Sequence, residues 1–346
     1  MDNGVFISYI VPCYNVQDYL PRCLESLAIQ KIENGANIEF ILVNDGSKDK
    51  TLDLLKDFAR KDERAIIVDQ QNQGVCSARN SGFKLAKGKY VFFLDGDDFL
   101  TDEASQLIYD ESQINESDII VPNAYYVLEG DLKQKVDWNV FDSTKSGVYT
   151  TLQFVDSLKT LPISVKVYKR EVLINNGIWF DEDLKVGEVY TYFVHVLAYS
   201  QFVTLTNGRM MNYVMCNSGT TKGYNIIRDS SIVKTMHRID DYSKLFVFDI
   251  KSKNAYITSL FGIVNVFSIV KYPQLSGYTH EIGSFLNCIL HDDIYINSLK
   301  FIITNNPIIS KIYVYAAILY YLPFKSSYFL LRYWGKLKLI MKKRKN

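Results

Sequence analysis

Four short and nearly continuous apolar runs, at 6–11, 38–43, 65–68 and 90–94, alternate with segments at 18–30, 50–61 and 75–86 whose Leu, Ala, Phe and charged residues recur at helical spacing. A strand that is apolar along its whole length must be covered on both faces. Strands joined through helices pair in parallel, because such a crossover is too long for a hairpin. The pattern therefore predicts βαβ units and an α/β fold with a mainly parallel sheet flanked by helices. Apolar residues make up 48% of the chain and charged residues 22%, enough to bury a core and to exclude wholesale disorder. A length of 346 residues allows two or three compact units, at roughly 100 to 200 residues each.

Past residue 100 the pattern is less regular. Segments 118–127 and 136–140 read as strands around a Gly-containing turn, and 161–176 leads through a charged stretch into a helix over 188–200. Segments 203–205 and 211–214 read as a last hairpin, followed by a polar loop over 216–224. A boundary near residue 225 divides the chain into a domain over 1–225 and a mainly helical region over 226–346.

In a parallel α/β sheet, ligands collect at the carboxyl ends of the strands. Here those ends are polar at 12–15, 44–47, 69–74 and 95–98. The sharpest is FFLDGDDFL, where Asp95, Asp97 and Asp98 follow a buried strand and would repel one another without a cation. Oxygen ligands of this kind suit Mg²⁺ or Mn²⁺ completed by phosphate oxygens and water. The plainer alternative is an acidic turn in which Asp98 or Thr101 caps a helix starting near Asp102. In FILVNDGSKDKT, Asp45 ends a strand, Gly46 permits a tight turn, and Ser47 with Asp49 can cap the next helix. Asp45 is placed to accept hydrogen bonds from a base or ribose, or it belongs to an ordinary strand-to-helix turn. In NQGVCSARNSG, Gly74 opens a helix that carries Arg79 and Asn80 and closes near Gly82. Arg79 offers a fixed fork of donors for phosphate or a carbonyl, or is a surface arginine. No G-x-G-x-x-G follows the first strand and no P-loop is present, so any phosphates are held by metal and side chains.

The order and spacing of IVPCYN, VNDGSKD, NQGVCSARNSG and FLDGDD resemble the successive motifs of the family 2 glycosyltransferases, densely over 5–102 and more weakly to about 222. The resemblance implies a GT-A fold, with a Rossmann-like sheet and here a helical C-terminal extension. It places Pro12, Tyr14 and Asn15 beside the nucleotide base, Asp45 at the uracil or ribose, and Arg79 beside the same nucleotide. It lays the family's Asp-x-Asp pair on Asp95 and Asp97, with Asp97 ligating Mn²⁺ or Mg²⁺ and Asp95 near the ribose or the metal's water shell. A metal between the diphosphate oxygens would act as a Lewis acid on the leaving group.

An inverting displacement also needs a general base on the acceptor side. The stretch ending in GEVYTYF resembles the family's Gly-Glu-Asp segment, but Val189 stands at the aspartate position. Glu188 is the nearest substitute, although one step along a helix turns a side chain by about 100°; Asp181, Glu182 and Asp183 are alternatives, and Glu188 also suits a helix N-terminus for its charge alone. His195 reads as a packing or surface residue. Asn217, Ser218 and Thr220 loosely fit a family loop that closes over the donor, or form a surface turn.

Ten Lys or Arg and no acid lie between Ile294 and Asn346, leaving 29 basic and 38 acidic residues before them. Over 309–346 the lysines are interleaved with Tyr, Trp and Leu, which suits an interfacial helix on an anionic membrane; the alternatives are a helix pair packed on the catalytic domain with a frayed basic end, or nucleic-acid binding. The longest apolar stretch, at 312–324, is shorter than the roughly 20 residues of a spanning helix. Five cysteines with no C-x-x-C, and no secretory leader, fit a cytoplasmic protein that is peripheral on the inner face of the cell membrane. The implied function is metal-dependent transfer of a sugar from a nucleotide diphosphate donor, a UDP-sugar, to a glycan or lipid-linked acceptor. The alternative, raised by Val189, is a catalytically weak or inactive sugar-nucleotide-binding protein.

Overall fold

The structure, a computed structural model, describes residues 4–138, 146–157, 165–215, 232–245 and 292–293. These fall into two compact units: the first takes the described residues up to 183 together with 188–215, and the second takes 184–187, 232–245 and 292–293. The expected boundary near 225, the loop carrying Asn217, Ser218 and Thr220, and the basic aromatic tail all lie outside the described residues.

In the first unit the predicted alternation is observed. It runs β1 (Val5–Cys13), α1 (Leu20–Ala28), β2 (Asn37–Asp45), α2 (Thr51–Ala59), β3 (Ala65–Gln70), α3 (Val75–Leu85) and β4 (Tyr90–Phe93). The chain continues through β5 (Phe99–Leu100), α4 (Ala104–Ile114), β6 (Ile119–Leu128), β7 (Asp131–Trp138), β8 (Gly147–Thr150), α5 (Thr151–Ser157), β9 (Val167–Lys169), α6 (Arg170–Asn175), α7 (Glu188–Tyr199) and β10 (Phe202–Met215). The sheet order is β3-β2-β1-β4-β9-β6-β10-β5, with β7 added to β6 and β8 to β10. Strands β3, β2, β1 and β4 are mutually parallel, β6 runs parallel to β10, and the short β9 joins the two blocks by pairing antiparallel to both β4 and β6. The central strands are buried almost throughout, as their unbroken apolar runs require. Helix α1 buries Leu20, Cys23, Leu24 and Leu27, one stripe at i, i+3, i+4 and i+7.

Two expectations are corrected. Gly82 does not close α3: the helix runs on to Leu85, and Gly82 marks where it packs on the sheet, since a Cβ there would lie 2.4 Å from Ile10 Cγ2. Segments 203–205 and 211–214 are not a hairpin but one strand, β10, parallel to β6. The intervening Asn207-Gly208 reads as a turn but is absorbed as a bulge, where the register shifts between Thr206 and Arg209.

In the second unit, α8 (Ile232–Ser243) buries Thr235, Met236 and Ile239, and the Thr235 hydroxyl donates to the Val186 carbonyl. Among the described residues no helix is long and apolar enough to cross a membrane.

Candidate active site

The loops that follow β1, β2 and β3 are fastened to one another before they meet any ligand. The Asn15 backbone amide donates to the Ser47 hydroxyl at 3.1 Å, and the Lys48 amide donates to the Asn15 side-chain oxygen at 2.8 Å. Val16 donates to Thr51 Oγ1, Gln17 donates to Asp49, and Lys50 donates back to the Gln17 side chain. Asn15 takes a φ of 52°, a left-handed conformation that Asn tolerates. Asp45 ties in the third loop: Oδ1 accepts from Gln70 Nε2 and the Gln73 amide, and Oδ2 accepts from the Gly74 amide at 2.9 Å. Gly46 is required beneath it, because its φ is 70° and a Cβ would lie 2.6 Å from the Asn72 nitrogen.

The expected capping role of Asp49 is present, since its Oδ1 accepts from the Thr51 amide, whereas Ser47 turns to the Asn15 amide instead. Asp45 is only 2% exposed, and three of its roughly four acceptor positions are taken. Holding the 70–74 loop is therefore its principal work in this structure. Tyr14 is 47% exposed at the rim, and Pro12 is buried with its carbonyl against Gly96, which brings the end of β1 to the acidic turn.

The three aspartates after β4 have different surroundings. Asp95 is half-exposed and accepts from Arg79 Nη2 at 2.7 Å. Asp97 is partly buried; burial, reinforced by the Asp95 charge, pushes its carboxyl up to about 6. Asp98 is 3% exposed and accepts the Val214 amide at 2.9 Å, and burial with the neighbouring acids holds its carboxyl well above the ordinary range. Neither Asp98 nor Thr101 caps the next helix, which corrects that reading: α4 begins at Ala104 without a side-chain cap, and the Thr101 hydroxyl donates to the Arg209 carbonyl on β10. Both residues anchor β10 to the acidic turn.

Arg79 links this turn to α7. Its guanidinium is buried, lies 5.1 Å from the Phe180 ring centroid, and reaches Asp95 on one side and Glu188 Oε1 on the other, at 3.4 Å. Burial opposes its charge, but Asp95 and Glu188 outweigh burial and raise its pKa above the usual value. Phe180 is in turn stacked on Tyr192 of α7, with centroids 3.9 Å apart and planes at 3°. Asn80 clamps the same segment: its amide accepts from the Phe180 nitrogen and donates to the Phe180 carbonyl and to Glu182. The structure thus gathers Arg79, Asp95 and Glu188 into one ion-paired chain, with Asp97 two residues along the same turn. Asp181 and Glu182 have interactions of their own, and Val189 is partly buried beside Glu188. His195 is partly buried, 5.8 Å from the Tyr199 ring, and its pKa is lowered by burial, in keeping with a packing residue.

Sequence reasoning missed Arg22, whose Nη2 donates to the Asp97 carbonyl at 2.7 Å. No spacing signals it, because its partner is a backbone group 75 residues away.

The donor set fits a divalent cation. Asp97 pairs with no cationic side chain among the described residues, Asp95 is half-open to solvent, and both are oxygen ligands in surplus of negative charge. Among the described residues no group of three or more His, Cys, Asp or Glu surrounds a common point, so a metal here would depend on ligand oxygens to complete its shell.

Residues 8–176 match the sequence model of the family described as Glycosyl transferase family 2. The chain carries a family 2 glycosyltransferase domain. The uncharacterized glycosyltransferase EpsJ of Bacillus subtilis is 32% identical over 192 residues, covering 53% of this chain and 53% of that protein. The poly(ribitol-phosphate) beta-glucosyltransferase of Bacillus spizizenii is 32% identical over 185 residues, covering 53% of this chain and 28% of that protein. The chain therefore spans about half, or less, of the length of these curated relatives. Among solved structures, Staphylococcus aureus TarS 1–349 in complex with UDP-GlcNAc superposes with a TM-score of 0.66 at 19% identity, covering 85% of this chain and 81% of that one. That likeness establishes the GT-A fold for the glycosyltransferase domain.

Proposed function

We propose that this chain is a metal-dependent, inverting glycosyltransferase that moves a sugar from a UDP-sugar to a glycan or lipid-linked acceptor in surface polysaccharide synthesis. The observation that carries this reading is the convergence of Asp95, Asp97, Arg79 and Glu188 beside three interlocked strand-end loops. The family match and the TarS complex with UDP-GlcNAc support the same donor class.

In this reading Pro12, Tyr14 and Asn15 border the base, and Asp45, with one acceptor position left, would accept from the base or ribose. Asp97, with Asp95, would hold Mn²⁺ or Mg²⁺, which when bound supplies Lewis-acid stabilisation of the leaving diphosphate. Arg79 holds Asp95 in place, its buried guanidinium donating to that carboxylate at 2.7 Å. Glu188 is the candidate base: it stands in the first turn of α7, within the same charge network, and would take the acceptor hydroxyl proton. The basic aromatic tail is proposed to hold the enzyme at the cytoplasmic face of the membrane, beside a lipid-linked acceptor.

The test is UDP release from a panel of UDP-sugars with Mn²⁺ or Mg²⁺. Activity that needs the metal and is lost in Asp97→Ala supports the proposal; metal-independent activity retained in that variant overturns it. A second reading, a sugar-nucleotide-binding protein with little or no turnover, is favoured by two observations: Val189 carries no proton acceptor, and Glu188 is already engaged by Arg79.

A further inference from the structure

Resting on the metal-dependent reading above, we infer that Arg22 is a positioning residue for the metal-bearing turn. Arg22 lies on α1, while Asp97 lies in the loop between β4 and β5. Their only hydrogen bond in the structure runs from Nη2 to the Asp97 carbonyl at 2.7 Å, so Arg22 grips the backbone and leaves the Asp97 carboxylate open. The guanidinium is itself fixed, 5.0 Å from the Phe99 ring centroid and 6.0 Å from that of Tyr19. Tyr19 is anchored through its hydroxyl to Glu129 at 2.7 Å, and Phe99 pairs through its backbone with Asn212 of β10. The grip therefore connects α1, β5 and the β6–β7 turn to one peptide group.

That peptide sets where two carboxylates point. Asp97 on one side of it is the proposed ligand, and Asp98 on the other is pinned to the Val214 amide. Releasing the 97–98 peptide would leave the Asp97 backbone without this anchor while Asp98 stayed bound to β10. The charge pattern supports the same role. Arg79 pairs with Asp95, and Arg22 brings its charge to the Asp97 backbone without an ion pair to Asp97 or Asp98 among the described residues. A lysine could supply that charge but not the planar fork that stacks on Phe99 and bonds the carbonyl at once.

The experiment measures Mn²⁺ affinity in the presence of UDP, by electron paramagnetic resonance of free Mn²⁺, for the full chain and its R22M and R22K variants, with ligand-free thermal unfolding in parallel. A charge-assisted hydrogen bond of this kind is worth about 1.5–3 kcal/mol, so R22M is expected to weaken Mn²⁺ by about 10- to 100-fold, with R22K between it and wild type. Wild-type Mn²⁺ affinity in folded R22M would overturn the inference whatever its melting temperature, because a merely structural arginine moves only the latter. Should R22M not fold, R22K decides alone: weaker Mn²⁺ binding supports the role and unchanged binding refutes it. If the wild-type chain binds no Mn²⁺ with UDP, the metal reading itself fails and the role of Arg22 falls with it, a result distinct from an unaffected variant.

Discussion

Lys166, just before β9, is 5% exposed, and its ammonium lies 4.5 Å from the ring centroid of Phe193 on α7, the helix that begins at Glu188. Burial lowers its pKa from 10.5 to about 7, with no carboxylate partner among the described residues to offset the loss of water. The lysine is protonated in the unfolded chain up to about 10.5 but in the folded chain only up to about 7, so between these values the unfolded state binds more protons. Stability therefore rises with pH across that window, and the full cost of the buried charge is felt below it. At about 1.36 kcal/mol per pH unit, the shift corresponds to at most about 5 kcal/mol, and the ring contact returns about 0.5–2 kcal/mol. Replacing Lys166 with Met keeps the volume and removes the charge. The stability gain of Lys166→Met over wild type is expected to be roughly 2–4 kcal/mol larger at pH 6 than at pH 10. Urea unfolding of both proteins across that range measures it. A gain that is flat with pH would show that Lys166 titrates normally in the folded state and refute the reasoning.

Asp98→Ala leaves the buried Val214 amide without an acceptor and is expected to cost about 1–3 kcal/mol, while Asp98→Asn retains an oxygen and costs less; thermal unfolding compares them. Gly46→Ala combines a φ of 70° with a 2.6 Å approach to the Asn72 nitrogen, so it is expected to destabilise by about 1–3 kcal/mol and to weaken UDP binding, read by calorimetry. Val189→Asp restores a carboxylate beside Glu188; if a missing base limits turnover, kcat should rise about 10²-fold or more, and an unchanged kcat would place the base elsewhere.

The parallel half of the sheet was legible because β1, β2 and β4 are buried on both faces and helices α1 to α3 carry their own apolar periodicity. The antiparallel additions were harder. The Asn207-Gly208 pair carries the composition of a hairpin turn, yet pairing along β6 keeps β10 as one strand, a choice made by long-range hydrogen bonds that local sequence does not encode. The same limit applied at the acidic turn. Three aspartates within four positions signalled a charged site, but not that Asp98 would be consumed by β10 or that Arg22 would hold the backbone from α1. Arg79 and Glu188 were each singled out by motif, 109 residues apart, and only the fold reveals that they share an ion pair.

Calorimetric titration of UDP into the protein, with and without MnCl₂, bears most directly on the idea that Asp95 and Asp97 join a divalent ion to a donor diphosphate. Tight binding is expected only with Mn²⁺, with loss of that dependence in Asp97→Ala. Equal UDP affinity with and without the ion, or an unaffected Asp97→Ala variant, would contradict it.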